Sequence, residues 1–166
     1  MGQELVLVGG TVKNLRILAF PDPFLFLRAR EVLAEELALG HAGDVDLKEL
    51  VGDMLATMYL NRGAGLAAPQ VGVGLRLFVA DTSPRVNSPF HVFNPVISEP
   101  RGGMETDLEG CLSVPGTKVA VERPRSVLVT GMYLGGKLAE FRANGTMARV
   151  CQHEADHLDG VLIVPR

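Results

Sequence analysis

The feature that most constrains the fold is the sequence His153-Glu154-Ala155-Asp156-His157 near the end of the chain. Two histidines four positions apart lie on one face of an α-helix, with Cβ atoms about 5–6 Å apart. That spacing lets both imidazoles reach one metal ion at about 2.0–2.1 Å. Glu154 follows the first histidine, so its carboxylate can accept a proton from a water on the metal without binding the metal. Histidine and glutamate are also common on solvent-exposed helix faces. The motif alone therefore leaves two interpretations open, a metal site and an ordinary exposed helix face.

A third metal ligand must come from upstream, because none of the nine residues after His157 is His, Cys or Glu. The candidates are the two cysteines, the other histidines and many carboxylates. Cys151 precedes His153 by two positions, about 200° around the helix, so we expect it to be a small buried hydrophobe on the opposite face. Cys111 lies in a segment with glycine and proline, where a side chain can point into a site. A Cys111–Cys151 disulfide is conceivable, but the absence of an export signal favours reduced thiols.

The segment Gly63-Ala64-Gly65-Leu66-Ala67-Ala68-Pro69-Gln70 is unusually rich in small residues. It is not a phosphate-binding loop, since the Gly-Lys-Ser/Thr ending is missing. Small residues allow the backbone to approach either a neighbouring element or a substrate. Gln70, at the end of the segment, could orient a carbonyl oxygen.

The hydrophobic pattern predicts an α+β domain with a mixed or antiparallel sheet packed around the C-terminal helix. Apolar residues at helical spacing predict a first helix over Leu27–Leu39 and a second that Asp46 caps and Asn61 ends. A final helix runs from about Thr146 to Leu158. Short alternating runs predict strands at 75–80, 91–97, 118–122, 127–133 and 137–141.

The length of 166 residues fits one domain, 1–166, with residues 1–14 as an N-terminal extension or a short edge strand. The net charge of -3, without a basic stripe, argues against nucleic acid as a partner. No apolar stretch approaches the roughly 20 residues that span a bilayer, and the N-terminus does not resemble a signal peptide. We therefore expect a cytoplasmic protein that does not bind membranes.

Three segments, 63–70, 109–113 and 152–157, resemble in order and spacing the signature motifs of peptide deformylases. The flanking Val71-Gly72, Val114-Pro115-Gly116, Ala148-Arg149 and Leu158-Asp159-Gly160 are similar to that family as well. The resemblance covers roughly residues 15–164. It implies an α+β fold in which the His-Glu-Ala-Asp-His helix lies across a sheet.

The resemblance also implies a metal ion bound by Cys111, His153 and His157, with water in the fourth position. The family works best with Fe(II), and zinc, nickel or cobalt can replace it. Gln70 and the backbone N–H of Leu112 would hold the formyl oxygen while Glu154 shuttles the proton. The substrates would be N-formyl-methionyl peptides, as nascent chains at the ribosome, and the products formate and a free amine. The mode of ribosome docking is left open, and we expect a monomer or a weak oligomer.

Gly63, Ala64, Gly65 and Thr146 are the expected substrate-binding residues. Ala64 stands where the family usually has a larger aliphatic residue, and Thr146 where leucine is common, so we expect a roomier side-chain pocket. Two other functions compete: a general metallopeptidase, and a structural metal domain with a fourth protein ligand. Asp156 either orients a ligand histidine or faces solvent.

Overall fold

The computed structural model describes residues 11–83 and 87–164. Three α-helices are present: α1 (Ala34–Leu39), α2 (Leu47–Leu60) and α3 (Gly145–Leu158). Two short 3-10 helices occupy Pro23–Phe26 and Ala68–Val71. The strands are β1 (His41–Ala42), β2 (Val45–Asp46), β3 (Gly65–Ala67), β4 (Leu77–Ala80), β5 (Phe90–Cys111), β6 (Val114–Met132) and β7 (Leu138–Asn144). No helix in the described ranges is long and apolar enough to cross a membrane.

The main sheet has five strands in the order β3-β4-β5-β6-β7, and every neighbouring pair is antiparallel. The strands β5 and β6 form one long hairpin, whose tip brings Cys111 opposite Val114. Four register irregularities interrupt this pairing, including one between Gly110 and Cys111. Such irregularities re-aim side chains, so the last residue of β5 can leave the regular alternation of the strand.

The sheet separates two hydrophobic clusters, because successive side chains of a strand point to opposite faces. Leu77 and Val79 of β4 pack into a cluster with α2, whereas Phe78 and Ala80 pack into one with α3. Cys151 belongs to the α3 cluster and is fully buried. One face of α3 is therefore fixed against the sheet.

The second helix begins and ends as predicted. The Asp46 side chain accepts a hydrogen bond from the backbone N–H of Glu49 at 2.9 Å, which caps α2. Asn61 follows the last helical residue. Of the segment 1–14, residues 1–10 lie outside the described residues. The backbone N–H of Lys13 donates to Asp53 on α2 at 2.6 Å.

The predicted helix over Leu27–Leu39 is wrong in its first half, since within this range only α1 is helical and residues 27–33 are not. Arg30 forms a parallel bridge with Leu75. Its N–H donates to Gly74 O at 3.0 Å, and its carbonyl accepts from Arg76 N–H at 2.8 Å. These tertiary bonds use the backbone groups that a helix would pair internally.

The expected α+β architecture is confirmed, with an antiparallel sheet against the C-terminal helix. The strands are longer than predicted. The predicted run 91–97 falls within β5, and the two predicted runs 118–122 and 127–133 fall within the single strand β6, apart from residue 133. The sequence pattern misses most of this hairpin, since Arg101–Leu108 is exposed and shows no hydrophobic alternation. The strand β3, inside the glycine-rich segment, was not predicted.

Candidate active site

Three potential metal ligands meet where α3 crosses the tip of the β5–β6 hairpin. One ligand atom from each of Cys111, His153 and His157 lies within 4.8 Å of the other two. Cys111 Sγ is 3.2 Å from His157 Nε2, which is 3.2 Å from His153 Nε2. Ligands on a tetrahedral ion with bonds of about 2.0–2.3 Å are roughly 3.3–3.7 Å apart. The donor set therefore fits one divalent ion, and it is the only such cluster in the described ranges.

A buried ion-pair network holds the first histidine through its other ring nitrogen. Glu109 is 5 % exposed, and its Oε2 lies 3.0 Å from His153 Nδ1. Arg123 donates two hydrogen bonds to the same carboxylate at 2.6 and 2.9 Å, and Arg149 adds one at 2.8 Å. A ring N–H that donates to a carboxylate leaves Nε2 as the metal-binding nitrogen. Arg123 also binds Asp156, at 2.9 Å, and no hydrogen bond joins Asp156 to either histidine ligand among the described residues.

The pKa values around this network favour a positive charge on His153, which interacts with Glu109 and Cys111. Burial raises the pKa of Glu109, but hydrogen bonds from Arg123 and His153 outweigh it and hold the pKa at about 2. Burial lowers the pKa of His153, but Cys111 and Glu109 raise it to about 10. Burial lowers the pKa of His157 to about 3, which keeps a ring lone pair available. The network thus stabilises positive charge on the His153 ring, beside the position that the three ligand atoms surround.

Gln70 points its amide N–H groups toward the same position. Its Oε1 accepts the backbone N–H of Ala67 at 2.9 Å, and a backbone N–H can only donate, so the other end of the amide must be Nε2. Nε2 lies 3.0 Å from Ser113 Oγ and 3.6 Å from Cys111 Sγ. Gln70 is therefore a donor fixed beside the metal ligands. The hydrogen bond from Gln70 to Ser113 was not predicted.

Glu154 is buried, and one of its carboxylate oxygens has no hydrogen-bond partner among the described residues. The residue is 4 % exposed, and this oxygen is Oε2. Burial raises the pKa of Glu154 to about 7, so the carboxyl can take up and release a proton near neutral pH. His157 Nδ1 likewise has no partner in the described part of the chain.

A cavity of about 750 Å³ opens onto these groups. Its lining includes most of the predicted site residues: Gly63, Ala64, Gly65, Gln70, Cys111, Leu112, His153 and Glu154. Leu112 is half-buried and faces Gly63, where an added Cβ would lie 2.8 Å from Leu112 Cδ1. Thr146 is exposed and is not among the lining residues, whereas Val150, one helical turn later, is.

Arg123 and Arg149 are the functional residues with the weakest sequence signal. Arg149 is four residues before His153 on α3, so helical spacing already places the two on one face. His41 is exposed, and His91 Nε2 accepts a hydrogen bond from the Leu134 N–H at 3.0 Å.

Comparisons with known proteins agree with this geometry. Residues 14–166 match the family model described as polypeptide deformylase. A peptide deformylase of Dictyoglomus thermophilum is 45% identical over 145 residues, 87% of each chain. One of Thermodesulfovibrio yellowstonii is 42% identical over 154 residues, 92% of this chain and 88% of that one. The crystal structure of peptide deformylase from Thermotoga maritima has a TM-score of 0.79 at 42% identity, over 89% of this chain and 93% of that chain.

Proposed function

The chain belongs to the polypeptide deformylase family, and we propose that Cys111, His153 and His157 hold the metal ion on which its reaction depends. It is a hydrolase that removes the N-formyl group from the N-terminal formyl-methionine of newly synthesised peptides and releases formate. The observation that carries the proposal is the closeness of the three ligand atoms: His157 Nε2 lies 3.2 Å from both Cys111 Sγ and His153 Nε2.

The donor set suits a first-row transition metal. Thiolate and imidazole ligands together bind Fe(II), zinc, nickel or cobalt. We propose Fe(II) as the native ion, and the other three as ions that the same ligands accept. When bound, a divalent ion acts as a Lewis acid and lowers the pKa of a coordinated water from 15.7 toward about 7.

Glu154 is the proton carrier in this proposal. Its unpaired Oε2 and its pKa of about 7 let it take the proton of the attacking water. The water oxygen forms a bond to the formyl carbon, and Glu154 returns the proton to the amide nitrogen as the C–N bond breaks. The products are formate and the free amine.

Gln70 and the backbone N–H of Leu112 are the proposed donors to the formyl oxygen, on which negative charge develops during the reaction. The Ala67 N–H fixes the Gln70 amide with its donors toward the metal ligands. By analogy with a protease, each such donor contributes roughly 2.7–4 kcal/mol to the stabilisation of the transition state.

The substrate-binding residues are proposed to be Gly63, Ala64, Gly65 and Thr146. The first three line the cavity. Thr146 lies one helical turn before the lining residue Val150, so we assign it to the outer mouth of the groove rather than to its floor.

We propose one domain over residues 1–166, active as a monomer or weak oligomer in the cytoplasm. Its substrates are nascent chains, which carry the formyl group as they leave the ribosome. The net charge of -3 gives no support for nucleic acid binding.

Formate release separates the competing functions. The metal-loaded protein should release formate from formyl-Met-Ala and no free methionine from Met-Ala. Release of methionine would favour a general metallopeptidase. A structural metal domain would release neither product; against it, the cluster in the described ranges has three ligands rather than four.

A further inference from the structure

Two cations line the cavity without a charged partner among the described residues. Arg62 follows α2 and Lys118 lies on β6, and both side chains are exposed. In residues 11–83 and 87–164, neither side chain forms an ion pair or a side-chain hydrogen bond. A third lining cation, Arg149, forms an ion pair with Glu109. The mouth of the groove therefore carries two positive charges that the described protein does not compensate.

Both cations border the part of the groove beside the metal ligands. Lys118 is paired across the hairpin with Gly110, the neighbour of Cys111. Arg62 adjoins Gly63, which faces Leu112. The two acidic residues of the lining are buried and committed elsewhere, Glu109 to the arginine network and Glu154 to the reacting centre.

We propose that Arg62 and Lys118 make the enzyme selective for substrates with a carboxylate shortly after the formyl-methionine. The carboxylate is an acidic side chain in one of the three following residues, or the C-terminus of a short peptide. An extended chain advances about 3.3 Å per residue, so three residues carry it about 10 Å from the reacting centre, within reach of long side chains at the mouth. This inference rests on the proposed function.

The physical basis is electrostatic complementarity at an exposed site. Two uncompensated cations at the mouth of a cleft attract an anionic peptide and repel a cationic one. Because both side chains are exposed, each contributes only about a twofold to fivefold preference, and salt screens it. The preference is expected mainly in KM, since neither cation is placed at the reacting atoms.

The test uses amide-capped formyl-Met tetrapeptides in which one of the three following residues is Glu, Gln or Lys. At low ionic strength, kcat/KM should fall in the order Glu, Gln, Lys in at least one position, and the differences should shrink in about 0.5 M salt. The Gln peptide with a free C-terminal carboxylate is compared with the same peptide carrying a C-terminal amide. A higher kcat/KM for the free acid would show that the C-terminal carboxylate is also recognised. Equal kcat/KM for every charge form overturns the proposal and leaves the deformylase function standing.

Enzyme variants assign the preference to these side chains. Arg62 has a left-handed backbone with φ 55°, so Arg62→Asn is the suitable replacement, because asparagine adopts that conformation readily. Arg62→Asn combined with Lys118→Gln should abolish the Glu-over-Lys preference. Arg16→Asn and Lys137→Gln are matched controls, exposed and outside the cavity, and should retain it.

A preference that survives in the double variant overturns the role of both cations. If the wild type releases formate from none of these peptides, the proposed function fails, and this inference fails with it.

Discussion

Gly65 leaves open the space that the Glu154 side chain occupies. A Cβ built on Gly65 would lie 2.8 Å from both Cγ and Cδ of Glu154, closer than real Cβ contacts come. The two residues come from different elements, β3 and α3. The absence of a side chain at Gly65 therefore allows Glu154, the proposed proton carrier, to pack against the edge strand β3 beside the metal ligands.

Gly65→Ala should displace Glu154 and lower kcat while the metal content is unchanged. A misplacement of about 1 Å in an active site costs on the order of 10²-fold. Turnover of formyl-Met-Ala and metal stoichiometry measure the two effects. Gly74→Ala is the matched control, since a Cβ there would make only an ordinary contact of 3.7 Å with Phe24. Near-normal turnover in Gly65→Ala would contradict the positioning argument.

Glu154→Gln should keep the metal and lose about 10²–10⁴-fold in turnover. The amide has nearly the shape of the carboxyl group but cannot accept the proton of the attacking water. Formate release and metal content are measured together. Glu140→Gln, an exposed change on β7, is the control. A variant with near-normal turnover would exclude Glu154 as the base.

Cys111→Ser should sharply reduce metal occupancy, whereas Cys151→Ala should leave it intact. Cys111 Sγ faces the ligand nitrogens, while Cys151 is fully buried in the hydrophobic cluster under α3. Burial raises the pKa of Cys151 to about 12, so its thiol does not ionise near neutral pH. Metal analysis of the purified variants checks this, and equal losses would remove Cys111 from the ligand set.

The separation of the two cysteines could be predicted because helical phase fixes direction. Residues 151 and 153 on one helix cannot both face the metal, whatever the rest of the fold does. The network around Glu109 was beyond such reasoning. Arg123 lies on β6 opposite Glu105, whereas Glu109 lies opposite Val119, and only the folded structure shows which carboxylate Arg123 reaches.

The non-helical course of residues 27–33 could not be predicted either. Their pattern fits a helix locally, and the competing partners, Gly74 and Arg76, lie more than forty residues away in the sequence. The two cations at the mouth of the groove could not be predicted for a similar reason. Arg62 and Lys118 are ordinary surface residues in the sequence, and only the fold places both of them on one cavity.

Acidification should destabilise the protein through His91. Burial lowers the pKa of His91 from 6.5, and its Nε2 accepts the Leu134 N–H, which an imidazolium cannot do. Below about pH 6.5 the unfolded chain therefore binds a proton that the folded chain does not, so stability falls as pH falls.

His91→Gln supplies a neutral acceptor in place of the ring and should reduce the loss of stability between about pH 7 and 5. Urea midpoints at several pH values measure this. His41→Gln, at an exposed histidine, should leave the pH dependence as in the wild type. An identical slope in His91→Gln and wild type would show that His91 does not titrate on unfolding.

Ala64 offers a test of how the cavity selects the first residue of the substrate. It lines the cavity, and related deformylases are expected to carry a larger aliphatic residue at this position. Replacing a branched aliphatic residue by alanine removes about three heavy atoms of apolar wall, and each buried CH₂ contributes about 0.8 kcal/mol. The wild-type pocket should therefore accept formyl-Met but discriminate weakly against bulkier formylated residues.

Ala64→Ile should narrow the pocket and raise the ratio of kcat/KM for formyl-Met over formyl-Phe peptides. Ala38→Ile, at an exposed alanine of α1 outside the cavity, should leave this ratio unchanged. If the ratio is the same in wild type and Ala64→Ile, then Ala64 does not shape the specificity of the pocket.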